Sequence, residues 1–262
     1  MAFKAKSLCM ALATLLAFGA QGVNAAEKSD LQTIVDKGVV RLGAVNAPPY
    51  YDYDLATNKW SGLIPEITEA MFKTIGVKVE YVQTEWGTAV AGLQSGRFDI
   101  MGAYNATPVR ALAIDFTKPV GYVPTALVTM KDDTAPYQSW EALNNPAIRI
   151  AAVDGAGTTR TAQKIAPKAT WVLVPSNDAM LLEVESNRVD VALTSQPTVQ
   201  DFIKARKKGT MVIPQPVIGN PANFGLPKNG SKELRDWMNI AIDAGKLDRS
   251  ITDIWEKYLP SK

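Results

Sequence analysis

The chain has 262 residues, with 28 Lys and Arg against 26 Asp and Glu, no histidine and one cysteine. Cys9 falls in the N-terminal leader, so the rest of the chain lacks the usual zinc ligands, a Ser-His-Asp triad, a cysteine nucleophile and any disulfide. Without Lys4 and Lys6 the balance is 26 basic to 26 acidic residues, and no basic block is interleaved with aromatics. Nucleic acid is therefore not expected as a partner, no metal or cofactor is expected, and the partners should be small molecules.

Residues 1–26 read as a cleaved signal peptide. Lys4 and Lys6 give a basic start, Ser7 to Ala20 an apolar run, and Val23-Asn24-Ala25-Ala26 a small-residue cleavage end. The run of about 14 residues is short of the roughly 20 that cross a bilayer. The chain is then expected in an exported compartment, with about 236 residues left after cleavage. That length supports two moderate lobes or one large domain without help from disulfides.

From Ser29 the pattern alternates. Ser29 to Val35 predicts a short capped helix, Val39 to Val45 a strand ending at the turn Asn46-Ala47-Pro48-Pro49, and Pro65 to Ile75 a helix stopped by Gly76. Val77 to Val82 is a second strand, Trp86 to Gln94 a helix and Phe98 to Ala103 a third strand. The alternation restarts with a strand at Ala147 to Val153, a glycine-rich turn at Gly155 to Thr159 and a helix from Thr159 to Ile165. A strand at Trp171 to Val174, a helix at Ser176 to Glu185 and a strand at Val189 to Thr194 follow. Leu234 to Ala244 and Ile251 to Tyr258 predict amphipathic helices whose Trp237 and Trp255 faces are core. Two βαβ sets imply two α/β lobes, each with a mainly parallel sheet. Ligands of open α/β sheets sit beyond the carboxyl ends of strands, which selects the loops at Asn46, Trp86, Gly102 to Arg110, Gly157 to Arg160 and Thr194-Ser195.

The ordered set of segments resembles the bacterial periplasmic solute-binding proteins of amino-acid ABC transporters, the polar amino-acid group. The resemblance covers nearly all of the mature chain. It rests on Gly38-Val39-Val40-Arg41-Leu42-Gly43, Pro49-Tyr50, Leu93-Gln94-Ser95-Gly96-Arg97-Phe98-Asp99 and Thr107-Pro108-x-Arg110 with Asp115-Phe116-Thr117-x-Pro119. Gly157-Thr158-Thr159, Arg188-Val189-Asp190 and Trp255-Glu256-Lys257-Tyr258 complete it. It implies a periplasmic, monomeric receptor that binds an amino acid or related carboxylate between two lobes and delivers it to an inner-membrane ABC permease. The first lobe would span 27–127 plus 224–262 and the second 128–223, with crossings in Ala126 to Met130 and near Asn223 to Leu226.

The resemblance also assigns roles. Arg110 would grip the ligand's carboxylate through its planar fork, and backbone N–H groups at Thr158 and Thr159 would complete the grip. Trp86 would form an aromatic wall, with Tyr50 a weaker second. Gly102 and Asn105 would meet the ligand's ammonium and carboxylate. Arg160, at the helix start, either adds a second cation to the cleft or is an outward helix charge. Ser195 stands where members of the family carry an aspartate for the ligand's ammonium, a partner that matters by roughly 2–5 kcal/mol. Either another acid such as Asp154 substitutes, or the ligand has no ordinary free α-amino group. Ala44 and Ala47 replace the first-loop acid and aromatic of basic-amino-acid binders, so lysine or arginine is not the expected ligand.

Two other classes share this architecture. Cyclohexadienyl dehydratase has a similar C-terminal tail but uses a glutamate general acid just after the Gly-Thr pair. Arg160 at that place cannot donate a proton near neutral pH, so a binding protein is the expectation. A periplasmic sensor domain is the third class, and here it would have to signal through a separate partner.

Overall fold

A computed structural model of the chain describes residues 30–228, 230 and 232–259; the signal-peptide expectation for 1–26 lies outside them. Two twisted sheets organise the described residues. The first runs Lys78–Gln83, Val39–Ala44, Ile100–Met101, Gly225–Pro227, Ile114–Phe116 in spatial order. Its first three strands are parallel and Gly225–Pro227 runs antiparallel between Ile100–Met101 and Ile114–Phe116. The second runs Thr210–Val212, Gly121–Thr129, Val191–Ser195, Arg149–Val153, Thr170–Val174. Its last three strands are parallel and the long strand Gly121–Thr129 is antiparallel to Val191–Ser195. The parallel cores are those predicted from the alternating pattern, and the antiparallel members come from segments that return between the sheets.

Gly121 to Pro124 pairs with the strand Gly219–Ala222, while Leu127 to Thr129 pairs with Thr210–Val212 inside the second sheet. The paired stretches Gly121 to Pro124 and Gly219–Ala222 immediately precede the expected crossing segments Ala126 to Met130 and Asn223 to Leu226. Pro124 and Pro221 sit in this ladder, so it reads weakly as strand from sequence. The hairpin Asp52–Asp54 with Lys59–Ser61 and the helix Gln196–Arg206 were also not anticipated. Ser195 occupies the N-cap of that helix with Pro197 in its first turn, a start signal that the sequence does carry.

One device recurs in both lobes. The Arg41 guanidinium bonds Asp99 through Nε at 3.2 Å and Nη2 at 2.6 Å, Nη1 takes the Gly96 carbonyl at 2.7 Å, and the Arg41 N–H donates to Asp99 at 2.8 Å. Arg149 repeats this with Asp190 at 3.1, 2.9 and 2.9 Å and takes the Arg188 carbonyl at 2.7 Å. Each arginine sits on the first strand of a βαβ unit and each aspartate leads into the parallel neighbour. The Gly-Arg-Phe-Asp and Arg-Val-Asp motifs are thus the anchors of two equivalent half-folds, fixing strand register rather than touching a ligand.

The cores follow the same division. Leu42, Ile64, Phe72 and Phe224 lie in the apolar centre of the first lobe, and Leu127, Ile150, Val191 and Leu193 in one core of the second. Trp237 packs tilted against Phe72 at 4.8 Å and 55°, and Trp255 packs directly over Gly121. Both tryptophans are core-facing, as their helical spacing implies. Among the described residues no helix is long and apolar enough to cross a membrane.

Candidate functional site

Thr107-Pro108-x-Arg110 forms a single helical turn, Pro108–Ala111. Thr107 Oγ1 accepts from the Arg110 N–H at 3.2 Å and Pro108 takes the first helical position, where its missing N–H costs nothing. The motif's spacing is therefore a cap that fixes where the Arg110 side chain leaves the backbone. That side chain runs into the space between the lobes and is 3% exposed. Nη1 donates to the Asn105 carbonyl at 2.9 Å, and Nη2 crosses to the second lobe and donates to the Gly155 carbonyl at 2.7 Å. Nε is buried without a partner. The face of the guanidinium lies over the Tyr104 ring, 3.8 Å from its centroid.

No carboxylate bonds Arg110 among the described residues. Burial holds the guanidinium below the usual arginine range, with the Tyr104 phenol opposing and the Arg160 charge adding to the effect. A buried cation held only by two carbonyls and a ring is incompletely compensated, and an anion is the chemistry that completes it.

The second lobe faces Arg110 with helix starts. The helix Gly157–Ile165 has Ala156 at its N-cap and no side-chain cap, and its first intrahelical bond is from the Arg160 N–H to the Ala156 carbonyl at 3.1 Å. The N–H groups of Gly157, Thr158 and Thr159 are left for the pocket. The Gly-Thr-Thr stretch, expected as a turn leading into a helix, is itself the first helical turn. The Thr159 hydroxyl is spent on the Val153 carbonyl at 2.7 Å, so only its backbone is available. Asn177 and Ser195, at the starts of the next two helices, line the same pocket.

Of the residues singled out in the sequence, Arg110, Thr158, Thr159, Trp86, Asn105, Tyr50 and Ser195 come together around this pocket. Trp86 stacks on Tyr104 at 6.2 Å and 11° and packs against apolar clusters of both lobes. The buried Tyr50 hydroxyl has no hydrogen-bond partner, and burial raises its pKa while the nearby Ser195 hydroxyl opposes. Ser195 Oγ is 3.0 Å from Thr198 Oγ1. Asn105 Nδ2 donates to the Pro221 carbonyl at 3.1 Å on the returning strand.

Two expectations are corrected. Gly102 does not reach the pocket: its N–H and carbonyl both bond the Tyr51 hydroxyl, at 3.0 and 3.1 Å, and a side chain there would strike Ile64. Its small size serves first-lobe packing, and the loop turns into the cleft only at Ala103, which has φ 51°. Arg160 is exposed and lines an outer groove with Thr107 and Lys164. It is the outward helix charge, near enough to act on Arg110 and Tyr104 through space. Asp154, the suggested substitute acid, is exposed and does not line the pocket.

Several contributors were missed, among them an aromatic and three polar side chains. Tyr104, Asn177, Thr198 and Asn220 line the pocket, and Asn220 Nδ2 donates to Thr125 Oγ1 at 2.5 Å. Tyr104 lies inside the selected loop Gly102 to Arg110 without having been singled out, and Thr198 sits in the first turn of the helix that begins after Ser195. Asn220 lies on a returning strand with no sequence signal.

Two α/β lobes joined by paired strands and closed over a buried cation are the architecture of a two-lobed solute-binding protein. The family model of bacterial extracellular solute-binding proteins, family 3, matches residues 40–261, and the chain belongs to that family. It is 26% identical over 263 residues to the L-cystine-binding protein TcyA of Bacillus subtilis, covering 96% of this chain and 94% of that one. It is 22% identical over 267 residues to the cyclohexadienyl dehydratase of Pseudomonas aeruginosa, covering 97% and 95%. Among solved structures, the ancestral amino acid-binding protein AncCDT-1, a precursor of cyclohexadienyl dehydratase, superposes with a TM-score of 0.79 at 29% identity, covering 88% of this chain and 99% of that one.

Proposed function

We propose that the protein is a periplasmic receptor that closes over a small carboxylate-bearing solute, an amino acid or a related compound, and delivers it to an ABC permease. The observation that carries this reading is Arg110: a guanidinium 3% exposed, aimed into the interlobe pocket, with no anionic partner among the described residues. A carboxylate placed against it takes parallel charge-assisted hydrogen bonds, with the N–H groups of Thr158 and Thr159 opposite. Trp86 and Tyr50 supply the apolar walls. Relatives named as amino-acid-binding proteins support the same class of ligand, and the family's extracellular setting supports export behind a cleaved leader; the monomeric state and the permease partner are part of this proposal.

The dehydratase relative gives a second reading a place. Against it, Arg160 occupies the position after Gly-Thr-Thr and points outward, and no carboxylate lines the pocket among the described residues to serve as a general acid. The test is direct. Calorimetry with a panel of amino acids and other small carboxylates should find a tight ligand, and incubation with prephenate should leave it unchanged. Formation of phenylpyruvate would overturn the binding-only reading.

A further inference from the structure

We infer that the ligand is an anion without an ammonium group: a small carboxylate with a neutral, oxygen-bearing body, of the 2-oxo or 2-hydroxy acid type. This rests on the receptor reading above and narrows it.

The pocket's charge is one-sided. Arg110 is its buried cation, and none of the lining residues is an aspartate or glutamate. The groups that act electrostatically on Arg110 are the Tyr104 phenol and the Arg160 guanidinium, with no carboxylate among them. Three helices of the second lobe, Gly157–Ile165, Asn177–Glu185 and Gln196–Arg206, begin at the pocket, through Gly157, Asn177 and Ser195. The first and third have no acidic residue in their opening turns. Their positive dipole ends thus add to the Arg110 charge instead of being offset by the protein.

The unpartnered hydrogen-bonding groups lean the same way. Arg110 Nε, a donor, and the Tyr50 hydroxyl, a donor and acceptor, are buried without partners, and the first-turn N–H groups of Gly157–Ile165 lack intrahelical acceptors. An ammonium brings three further donors and no acceptor. The hydroxyls best placed to receive it, Ser195 and Thr198, bonded to each other at 3.0 Å, keep acceptor lone pairs but are neutral and bring no countercharge. A zwitterion would therefore leave the closed pocket with two cations and one anion, the second cation unpaired. A monoanion neutralises Arg110, and an added carbonyl or hydroxyl oxygen answers the remaining donors. The acids nearest in sequence do not change this. Asp154 is exposed, and Glu85, beside Trp86, has Oε2 buried without a partner but does not line the pocket, and burial and Asp178 push its carboxyl toward the neutral form.

The test is calorimetry on the chain from residue 27 with matched sets at pH 7.5: phenylalanine, phenylpyruvate and phenyllactate; leucine and its 2-oxo and 2-hydroxy acids; glutamate, 2-oxoglutarate and 2-hydroxyglutarate. In at least one set the oxo or hydroxy acid should bind about thirtyfold or more tighter than the amino acid. Ser195→Asp, which supplies a carboxylate, should weaken that acid and narrow or reverse the preference. An amino acid binding as tightly as its oxo and hydroxy partners overturns the inference and leaves the receptor reading standing. Failure of every acid in all three sets overturns both.

Discussion

The Arg110 guanidinium carbon lies 3.8 Å from the centroid of the Tyr104 ring, and that ring in turn stacks on Trp86 at 6.2 Å. The Tyr104 hydroxyl donates to the Trp86 carbonyl at 3.2 Å, closing the arrangement. The cation thus sits over one face of an aromatic ladder, with its N–H groups turned to hydrogen bonds elsewhere. Two of those reach carbonyls on different lobes. Arg110 is at once the candidate ligand anchor and a strut of the closed state.

Arg110→Ala should abolish measurable binding, a loss of about a hundredfold or more, because it removes the charge and the fork together. Arg110→Lys should recover little, since an ammonium cannot make parallel bonds or lie flat on Tyr104. Calorimetry with whichever carboxylate binds the unaltered protein checks both. Affinity within threefold of that protein would refute the anchor.

Gly157→Ala probes closure separately from folding. A Cβ at Gly157 would lie 2.6 Å from Asn105 Cβ, which belongs to the other lobe. Overpacking of this kind costs about 1–3 kcal/mol, and only the closed form meets it. Binding should weaken roughly tenfold while the melting temperature without ligand holds or rises, since alanine favours helix over glycine. Small-angle scattering at high ligand concentration should show a more open molecule than the unaltered protein.

Tyr104→Phe keeps the ring under Arg110 but removes the bond to the Trp86 carbonyl. Stability in urea should fall by about 0.5–1.5 kcal/mol, with affinity little changed. Tyr104→Leu removes the cation–π contact and the stacking as well and should weaken binding clearly. Equal affinity in the two variants would mean the ring face is irrelevant to Arg110.

Asp190 carries a pH signature. The hydrogen bonds from Arg149 hold its carboxyl below the usual range, against the opposing pull of burial. A carboxylate depressed in the folded state stabilises fully above its unfolded pKa of about 3.9, and the gain is lost as pH falls through the lower folded value. Asp190→Asn should therefore destabilise by roughly 1–3 kcal/mol at pH 7. The gap should close toward pH 2, measured by urea unfolding at several pH values. A gap independent of pH would show that packing, not the ion pair, is responsible.

Much of this was legible in one dimension. The alternation of apolar strands and amphipathic helices located both parallel cores, because a period of two against a period of 3.6 is a local property of the chain. Thr107-Pro108-x-Arg110 stood out only through the family resemblance, although the cap, the first-turn proline and the fixed offset that place Arg110 are decided within four residues. The returning strands were not legible. Gly219–Ala222 is a strand only because Gly121 to Pro124 lies beside it, about a hundred residues away in sequence.

What the sequence determined by itself was the class of chemistry: no histidine, two βαβ sets, an arginine behind Thr-Pro and a serine where the resemblance implies an aspartate. Only the tertiary structure decided that Gly102 belongs to the core, that Arg160 turns outward, and that Tyr104 and Asn220 join the site. Direction and burial decide each of these. A side chain's facing depends on which neighbours cover its element, and in this protein that covering is made by segments far apart in the chain.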